Sequence, residues 1–512
     1  MASASAPDVS TSDFSSGMAS SSSVSNCCAS DGFLDPQEAS GVSYEHLFRS
    51  LARHSRLFPL RSNDVALLAT PTDFYRQLLA NIQQAETRVS ISSLYLGTGE
   101  LERQLVQALA ARLRERPELQ VQIVLDYSRG QRGGATNSSV TMLAPLLEEF
   151  PGNVELFLFR VPQLSGLKAK LPPPFNETLG VSHAKVYLVD ENLVLSGANL
   201  SEDYFTNRQD RYVQLTDCGA LASFYHQFVE LVTGFSYCVK LDKKKVYVLE
   251  SPALAHDSDD AKEAMKRKLE DLVDPAKHVH ADETDALTDA WAFPTLQFTP
   301  ITLDHDERLL SMFVKDLPRG SQLQIASGYL NFPPFLSTLL EDCGAGLDVV
   351  SAAPRANGFY DAAGLKGALP MAYSLIEQDF FERTRSREFP ATLREFNRPN
   401  WTFHGKGMWW RPALSLTSTN KTALGLPQIT VVGSSNFGQR SYGCDLESNL
   451  VIYTRNPELQ RRLQDEYEAL TRDTEVVTEH VWRRPERTLH GLFSWKAGHW
   501  IRPVSKIISA YL

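Results

Sequence analysis

Two stretches of the chain share one pattern of polar residues. The first reads HAKVYLVD at residues 183–190 and is followed by SGAN at 196–199. The second reads HGK at 404–406 and is followed by GSSN at 433–436. A repeated His-x-Lys, each followed by a small-residue word that ends in Asn, indicates two diverged copies of one unit.

A carboxylate follows each asparagine at the same distance. Asp210 comes eleven residues after Asn199, and Glu447 comes eleven residues after Asn436. An identical offset in both copies is hard to obtain by chance beside a shared His-x-Lys. We expect each carboxylate to hold one histidine ring by a nitrogen, which fixes the tautomer and raises the basicity of the ring.

Each copy offers an imidazole beside an ammonium: His183 with Lys185, and His404 with Lys406. Residues two apart on a strand point to the same face, so each pair should project together. If the copies face each other, lysines and amides can hold the non-bridging oxygens of a phosphodiester. One histidine then attacks phosphorus and the other protonates the leaving oxygen. This chemistry requires no metal and no cofactor.

Hydrophobic periodicity predicts the fold around these motifs. Apolar residues at helical spacing over 74–82 and 101–113 alternate with extended runs over 89–96 and 121–125. The same order of helix and strand recurs over 309–350. Alternation of this kind is typical of an α/β fold with a largely parallel sheet.

Similar words stand at matching places in the two copies: SLYL at 93–96 and SGYL at 327–330. We therefore expect two diverged lobes, at about 65–245 and 295–475, each a mixed, largely parallel sheet flanked by helices. The active site should lie at the pseudo-twofold interface between them.

The rest of the chain divides by composition. The first 30 residues contain twelve Ser and no Lys or Arg, so residues 1–40 are predicted to be disordered. The basic segment 41–64 is either a targeting helix or the first surface helix of the fold. Residues 250–294 form an acidic linker, and the basic, aromatic segment 476–512 either contacts a membrane, which we favour, or packs on the fold.

Overall composition excludes several classes of protein. The 512 residues carry a net charge of -10, and no basic field indicates nucleic-acid binding. No apolar run is long enough for a polytopic membrane protein. The six cysteines form no CxxC pair, which argues against structural zinc and favours a reducing compartment.

Several further residues are candidates with two interpretations each. Arg208, Arg211 and Arg440 lie near the motifs, where they either form salt bridges or bind a substrate phosphate. The turn Gly97-Thr98-Gly99 before a helix is a tight turn, which we favour, or a phosphate cradle. Asp190 stays among the candidate catalytic residues by its spacing from His183, but its Asp-Glu-Asn context favours a structural turn.

The doubled HxKxxxxD and Gly/Ser/Asn pattern resembles the phospholipase D superfamily. More narrowly, SLYLGTG (93–99), SGANLSEDYFTNRQDRYV (196–213) and WTFHGKGMWW (401–410) resemble the eukaryotic mitochondrial phosphatidylglycerophosphate synthases. The similarity covers about residues 45–510 apart from the acidic linker. Two departures stand out: Ser196-Gly197 reverses the superfamily's Gly-Ser order, and Arg411 replaces the second Asp.

The resemblance implies a specific reaction. Such an enzyme takes CDP-diacylglycerol and glycerol 3-phosphate as substrates and releases CMP through a phosphatidyl-histidine intermediate, with His183 as the nucleophile by analogy. It also implies a mitochondrial protein peripheral to the inner membrane. Two alternatives stay open: a related transferase or hydrolase that uses serine, another alcohol or water, and a lipid-binding protein whose site has decayed.

Overall fold

The computed structural model describes residues 45–172, 175–242, 247–277, 287–360, 369–415, 422–484 and 487. These residues lie in one compact unit. The predicted disorder of residues 1–40 lies outside the described residues, as do part of the acidic linker and most of the basic, aromatic C-terminal segment.

The described strands are, in chain order, β1 Phe58–Leu60, β2 Val65–Leu68, β3 Arg88–Ser93, β4 Gln120–Asp126, β5 Val154–Phe159, β6 Val186–Val189, β7 Asn192–Ser196, β8 Arg208–Gln209, β9 Tyr212–Leu215, β10 Tyr237–Leu241, β11 Tyr247–Glu250, β12 Ala290–Phe298, β13 Leu303–Asp304, β14 Gln322–Ser327, β15 Gly346–Ala352, β16 Thr392–Phe396, β17 Thr402–Phe403, β18 Lys406–Arg411, β19 Ala413–Ser415, β20 Thr422–Leu424, β21 Ile429–Gly433, β22 Glu447–Thr454 and β23 Thr474–Val476. The described α-helices are α1 Glu45–His54, α2 Pro71–Gln84, α3 Glu100–Glu115, α4 Tyr127–Gly130, α5 Ser139–Glu149, α6 Glu202–Thr206, α7 Gly219–Thr233, α8 Asp259–Val273, α9 His305–Lys315, α10 Pro334–Asp342, α11 Leu369–Thr384, α12 Gln439–Gly443 and α13 Pro457–Thr471.

Local sequence explains how helix α2 forms. Thr70 and Asp73 form a reciprocal capping box, and Pro71 occupies the first turn, where its missing N–H costs nothing. The apolar residues predicted at helical spacing, including Phe74 and Leu78, are buried on the inner face of the helix. The helices and strands predicted from periodicity around this region, and their counterparts over 309–350, are confirmed.

Each lobe is built on one sheet. Within the described residues, the first lobe has nine strands in the order β11-β10-β5-β4-β3-β6-β7-β9-β2. The sheet of the second lobe has the order β1-β12-β22-β21-β18-β14-β15-β16-β23, and β13 pairs with β12. In both lobes a parallel trio, β3-β4-β5 or β14-β15-β16, is joined to an antiparallel set that carries the histidine motif.

The sheets are mixed, as expected, but the prediction that they are largely parallel is wrong. Within these two sheets, parallel pairing is confined to the two central trios, and the other pairs of described strands are antiparallel. In the first lobe, a tight turn at Asp190 and Glu191 joins β6 to β7 as an antiparallel hairpin instead of a helical crossover.

The start of the described chain belongs to the second lobe. Helix α1 packs against α9 and buries Leu47, Phe48 and Leu51. Strand β1 then pairs with β12, whose first residue, Ala290, lies ahead of the expected lobe start at 295. The helical part of the basic segment is therefore packed into the fold.

Part of the acidic linker is also a packed element. Helix α8 buries Met265, Leu269 and Leu272 against α7 and β12, within a core that contains residues of both lobes. In the described part of the chain, no helix combines the length and the apolar character needed to cross a bilayer.

Candidate active site

The two histidine motifs lie where the lobes meet, and each is paired by its backbone to the opposite lobe. The His183 N–H donates to the Leu446 carbonyl (2.9 Å), next to a parallel bridge between Ser182 and Leu446. The His404 N–H donates to the Gln209 carbonyl (2.7 Å), and β17 pairs in parallel with β8. The residues paired with the two histidines immediately precede Glu447 and Asp210.

This pairing brings each carboxylate to the histidine of the other lobe. Nδ1 of His183 lies 2.9 Å from Oε1 and 3.0 Å from Oε2 of Glu447. Nδ1 of His404 lies 2.6 Å from Oδ2 of Asp210. Each carboxylate therefore contacts one imidazole, and both contacts cross the lobe interface.

The expectation that each His-Lys pair lies on a strand is wrong in detail. Strand β6 begins at Val186, after Lys185, and β18 begins at Lys406, so both histidines precede their strands. The backbone at the histidines is committed to the opposite lobe rather than to the sheet of its own lobe.

Both lysines are buried beside their histidines. Nζ of Lys185 donates to the His183 carbonyl (2.6 Å), and Nζ of Lys406 donates to the His404 carbonyl (3.0 Å). Burial lowers the pKa of Lys185 to about 7, against the attraction of Glu447. Burial also lowers the pKa of Lys406 to about 8, while Asp210 opposes the shift. A bound anion would raise both pKa values and so favour the charged form of both lysines.

The two carboxylates differ in their environment. Burial raises the pKa of Glu447, but the His183 ring and its hydrogen bond, together with Lys185 and Ser434, bring it down to about 2. The hydroxyl groups of Ser434 and Ser441 both donate to this carboxylate. The pKa of Asp210 is raised, because burial outweighs the attraction of Lys406.

The imidazoles differ as well. Burial lowers the pKa of His183, although Glu447 opposes the change. Burial and the nearby ammonium of Lys406, with help from Arg208, lower the pKa of His404 well below its ordinary value. Both shifts favour the neutral form of the rings in the absence of a ligand.

The two asparagines lie at the site with unused hydrogen-bonding capacity. Asn199 follows β7 and its Nδ2 donates to the Tyr204 hydroxyl (3.1 Å), while Asn436 follows β21. Oδ1 of each asparagine is buried and has no hydrogen-bond partner among the described residues. Buried amide oxygens without partners are costly, which is a feature of sites that receive a ligand.

Aromatic side chains surround His404. The Tyr204 ring lies edge-on to it at 5.1 Å and the Tyr329 ring at 5.8 Å. The Tyr204 hydroxyl is 3.4 Å from Nε2 of His404. Arg208 packs over the Tyr204 ring at 4.7 Å and donates to the Tyr329 hydroxyl (3.0 Å). Arg208 therefore belongs to the site.

Sequence reasoning missed Tyr204, Tyr329 and Ser441 as site residues, although weak signals existed. Tyr204 and Ser441 stand five residues after Asn199 and Asn436, respectively. Tyr329 lies in the word that repeats SLYL of the first lobe. Tyr204 and Ser441 thus occupy matching positions at which the two lobes have diverged, whereas Tyr329 matches Tyr95 of the first lobe.

The expectation that Arg211 binds substrate is wrong. Its side chain is 1% exposed and packs on the Trp409 ring, with the guanidinium carbon 4.1 Å from the ring centroid. Its nitrogens donate to Glu466, to the Thr430 hydroxyl and to the Val431 carbonyl. All three guanidinium nitrogens are occupied, so Arg211 joins the lobes and does not face a ligand.

Arg440 lies at the edge of the site and stabilises it through contacts with other protein groups. It forms a two-nitrogen contact with the Asp445 carboxylate and donates to the Glu177 carbonyl (2.8 Å). Asp445 in turn accepts the N–H of Val181 (2.9 Å), two residues before His183.

Asp190 does not join the histidine cluster. It lies at the far end of β6 from His183, with a φ of 52°, and its carboxylate accepts the backbone N–H groups of Glu86, Thr87 and Arg88. Inclusion of Asp190 among the catalytic residues is therefore wrong, and the structural turn is correct.

The segment from Gly97 to Gly99 is a tight turn and does not form a phosphate cradle. The Gly97 N–H donates to the Leu200 carbonyl (2.7 Å), and Gly99 caps the start of α3. The buried carboxylate of Glu102 fills the space beside both glycines, where an added Cβ would lie within 2.7 Å of it. A carboxylate in that place repels a phosphate, so binding of substrate by Gly97, Thr98 and Gly99 is not supported.

Comparisons with known proteins agree with this geometry. Residues 78–232 match the family model described as "Cardiolipin synthase, PLD-like domain". The crystal structure of phosphatidylserine synthase from Haemophilus influenzae Rd KW20 superposes with a TM-score of 0.68 at 19% identity, covering 92% of this chain and 100% of that one. That likeness establishes the fold.

Curated relatives are similar over most of their length. The mitochondrial CDP-diacylglycerol–glycerol-3-phosphate 3-phosphatidyltransferases of Cricetulus griseus and Homo sapiens are each 34% identical, over 91% of this chain and 86% of theirs. A Dictyostelium discoideum protein with the same enzyme name, marked probable, is 33% identical over 86% of this chain and 78% of its own. Identity of this extent shows common descent, and the chain therefore belongs to the CDP-diacylglycerol–glycerol-3-phosphate 3-phosphatidyltransferase family.

Proposed function

We propose that this protein transfers the phosphatidyl group of CDP-diacylglycerol to glycerol 3-phosphate, which yields phosphatidylglycerophosphate and CMP. The family to which the chain belongs supports this substrate pair. The observation that carries the chemistry is the crossed arrangement, in which Glu447 holds His183 and Asp210 holds His404 at one lobe interface.

In the first step, Nε2 of His183 attacks the phosphatidyl phosphorus of CDP-diacylglycerol. The bond from phosphorus to the bridging oxygen breaks, and His404 donates a proton to that oxygen as CMP leaves. A phosphatidyl group remains on His183. Nδ1 of this ring is engaged by Glu447, whereas its Nε2 has no hydrogen-bond partner among the described residues, which supports its role as the nucleophile.

In the second step, glycerol 3-phosphate enters. His404 takes the proton of its free primary hydroxyl, the oxygen attacks phosphorus, and the bond between phosphorus and nitrogen breaks. Lys185, Lys406 and the amides of Asn199 and Asn436 hold the non-bridging oxygens in both steps. Arg208 is the candidate partner for the phosphate of the acceptor, because Arg suits a phosphate geometrically and this one lies beside His404.

Substrate charge sets the protonation state of His404. The pKa of His404 is depressed by burial and then by the positive charges of Lys406, Arg208 and Lys185. The two phosphates of CDP-diacylglycerol would neutralise those charges and raise that pKa. His404 would therefore gain its proton when the donor binds, and the general acid would form only in the complex.

We further propose that the protein acts in the mitochondrion and associates peripherally with the inner membrane. The names of the hamster and human relatives carry the mitochondrial assignment. Fractionation of cells that express the tagged full chain tests this: we expect recovery with the mitochondrial membranes and release by alkaline carbonate. Recovery in another compartment would contradict the placement.

CMP release tests the reaction itself. Purified protein is incubated with CDP-diacylglycerol, with and without glycerol 3-phosphate. We expect continued CMP release only when the acceptor is present, because without it each enzyme stops at the phosphatidyl-histidine after one CMP. This turnover should be lost in His183→Ala and His404→Ala but not in the exposed control His480→Ala. Release of more than one CMP per enzyme without acceptor would indicate a hydrolase, continued release with serine a different transferase, and no release at all a binding protein.

A further inference from the structure

The segment that leads into His183 exposes apolar side chains. Leu167 is 86% exposed, Leu171 is 38% exposed and Phe175 is 58% exposed. Among the described residues, eight large apolar side chains are exposed, and these three lie within nine residues of one another. Single exposed apolar residues are ordinary, but a cluster marks a contact surface.

Charge in the same segment has one sign. Lys168 and Lys170 are exposed, and residues 161–172 contain no Asp or Glu. The whole chain carries a net charge of -10, so the net charge of this segment is opposite in sign to that of the protein. Apolar side chains interleaved with lysines fit an anionic lipid surface, which accepts the apolar groups and attracts the ammonium groups.

Both ends of the segment are held by the fold. Leu164 is buried before it. After it, Glu177 forms ion pairs with Arg129 and Arg132, and its carbonyl accepts a hydrogen bond from Arg440. The described residues between these ends make short-range backbone hydrogen bonds, such as Ala169 N–H to the Ser165 carbonyl (3.3 Å). The exposed side chains therefore project from a fixed base.

That base is continuous with the active site. Beyond Glu177, Gly180 packs against the Cys444 carbonyl, and Val181 donates to Asp445, two residues before Glu447. The chain then reaches His183. A bilayer bound through this segment would lie beside the part of the active site that contains His183 and Glu447.

We propose that residues 165–172 together with Phe175, here called the apolar loop, insert into the headgroup region of an anionic bilayer and present the lipid donor to the histidine pair. This inference rests on the proposed function, because only a lipid substrate requires the site to face a bilayer. The loop is separate from the basic, aromatic C-terminal segment, which the sequence analysis identified as a candidate membrane contact.

Vesicle binding tests the proposal directly. The full chain is sedimented with vesicles of phosphatidylcholine and cardiolipin. We expect the triple variant Leu167→Ser, Leu171→Ser, Phe175→Ser to bind at least about tenfold more weakly, since each apolar side chain gains from burial. The matched control is Val248→Ser with Leu254→Ser, two exposed apolar residues elsewhere, and it should bind as the wild type does. Equal binding by the triple variant and the wild type would overturn the proposal.

The charge is tested separately. Lys168→Gln with Lys170→Gln should weaken binding to the same vesicles by roughly tenfold or more and reduce its dependence on salt, while binding to pure phosphatidylcholine is unchanged. An unchanged salt dependence would overturn the electrostatic part of the proposal.

Activity in detergent distinguishes this proposal from the proposed function. With CDP-diacylglycerol dispersed in detergent micelles, the triple variant should release CMP as the wild type does, whereas on vesicles its rate should fall about tenfold at limiting lipid. Equal loss in micelles and vesicles would mean that the loop serves the fold rather than the membrane. No CMP release by the wild type in either assay would reject the proposed function, and vesicle binding would then judge the loop alone.

Discussion

Glu447 of the second lobe holds His183 of the first, with Nδ1 of the ring 2.9 Å from Oε1 of the carboxylate. The reciprocal contact joins Asp210 and His404 at 2.6 Å. Neither lobe alone contains a histidine with its carboxylate, so the catalytic unit exists only when the lobes are docked.

Glu447→Gln should reduce kcat by roughly 10²- to 10⁴-fold, because an amide cannot stabilise the imidazolium or fix the same tautomer. Steady-state CMP release measures the effect. The matched control is Glu466→Gln, because Glu466 pairs with Arg211 and lies outside the histidine cluster. This control should lower the melting temperature, with a much smaller effect on kcat than Glu447→Gln has. An active Glu447→Gln enzyme would contradict the role assigned to this carboxylate.

The buried Lys185 should make stability depend on pH in a definite direction. Its pKa is about 7 in the folded protein and ordinarily 10.5, so between these values the unfolded chain binds the extra proton. Stability therefore increases with pH across this window, by at most about 1.4 kcal/mol per pH unit for one proton. Urea unfolding of the wild type and of Lys185→Met over this range should show the slope reduced in the variant. The same slope in both proteins would show that Lys185 is not a source of the linkage.

Tyr204→Phe removes a hydroxyl that lies between Asn199 and Nε2 of His404. Burial keeps this hydroxyl protonated by raising its pKa well above the ordinary value. We expect kcat to fall about tenfold with little change in KM, because one hydrogen bond to the general acid is lost. The pH profile of kcat should shift as well. A change in KM alone would assign Tyr204 to substrate binding instead.

Arg208 and Arg211 should separate activity from stability. Arg208→Lys should raise the KM for glycerol 3-phosphate about tenfold without lowering the melting temperature, because an ammonium cannot replace the planar guanidinium. Arg211→Met should instead destabilise the protein by roughly 3 kcal/mol or more, since it leaves the largely buried Glu466 without its cationic partner, with the Trp409 indole N–H still donating to it. The KM of the folded fraction should stay unchanged. Thermal unfolding and titration with glycerol 3-phosphate measure the melting temperature and the KM of both variants. Equal changes in the two variants would contradict the separate roles assigned to Arg208 and Arg211.

The sequence predicted the residue types of the site better than their geometry. The repeated His-x-Lys, the asparagines and the carboxylates at equal offsets identified the pieces, because chemistry constrains residue type and spacing. The crossed pairing was not predictable, since the contact between His183 and Glu447 spans 264 positions and depends on how the lobes dock. Arg211 was misassigned for the same reason: its partners Thr430, Val431 and Glu466 are all in the other lobe.

The prediction of largely parallel sheets was wrong for a local reason. Alternating helices and strands predicted parallel pairing, which holds for β3-β4-β5 and β14-β15-β16. The turn at Asp190 makes β6 and β7 a hairpin, so these two strands pair antiparallel.

The central claim is the covalent phosphatidyl-histidine intermediate. Mass spectrometry tests it most directly, with the reaction quenched in alkali because the bond between phosphorus and nitrogen is acid-sensitive. Full-length protein is mixed with CDP-diacylglycerol in the absence of glycerol 3-phosphate, digested and mapped. We expect a phosphatidyl group on the peptide that contains His183, its absence in His183→Ala, and its removal when glycerol 3-phosphate is added. A phosphatidyl group on His404, or turnover with no adduct on either histidine, would contradict the account.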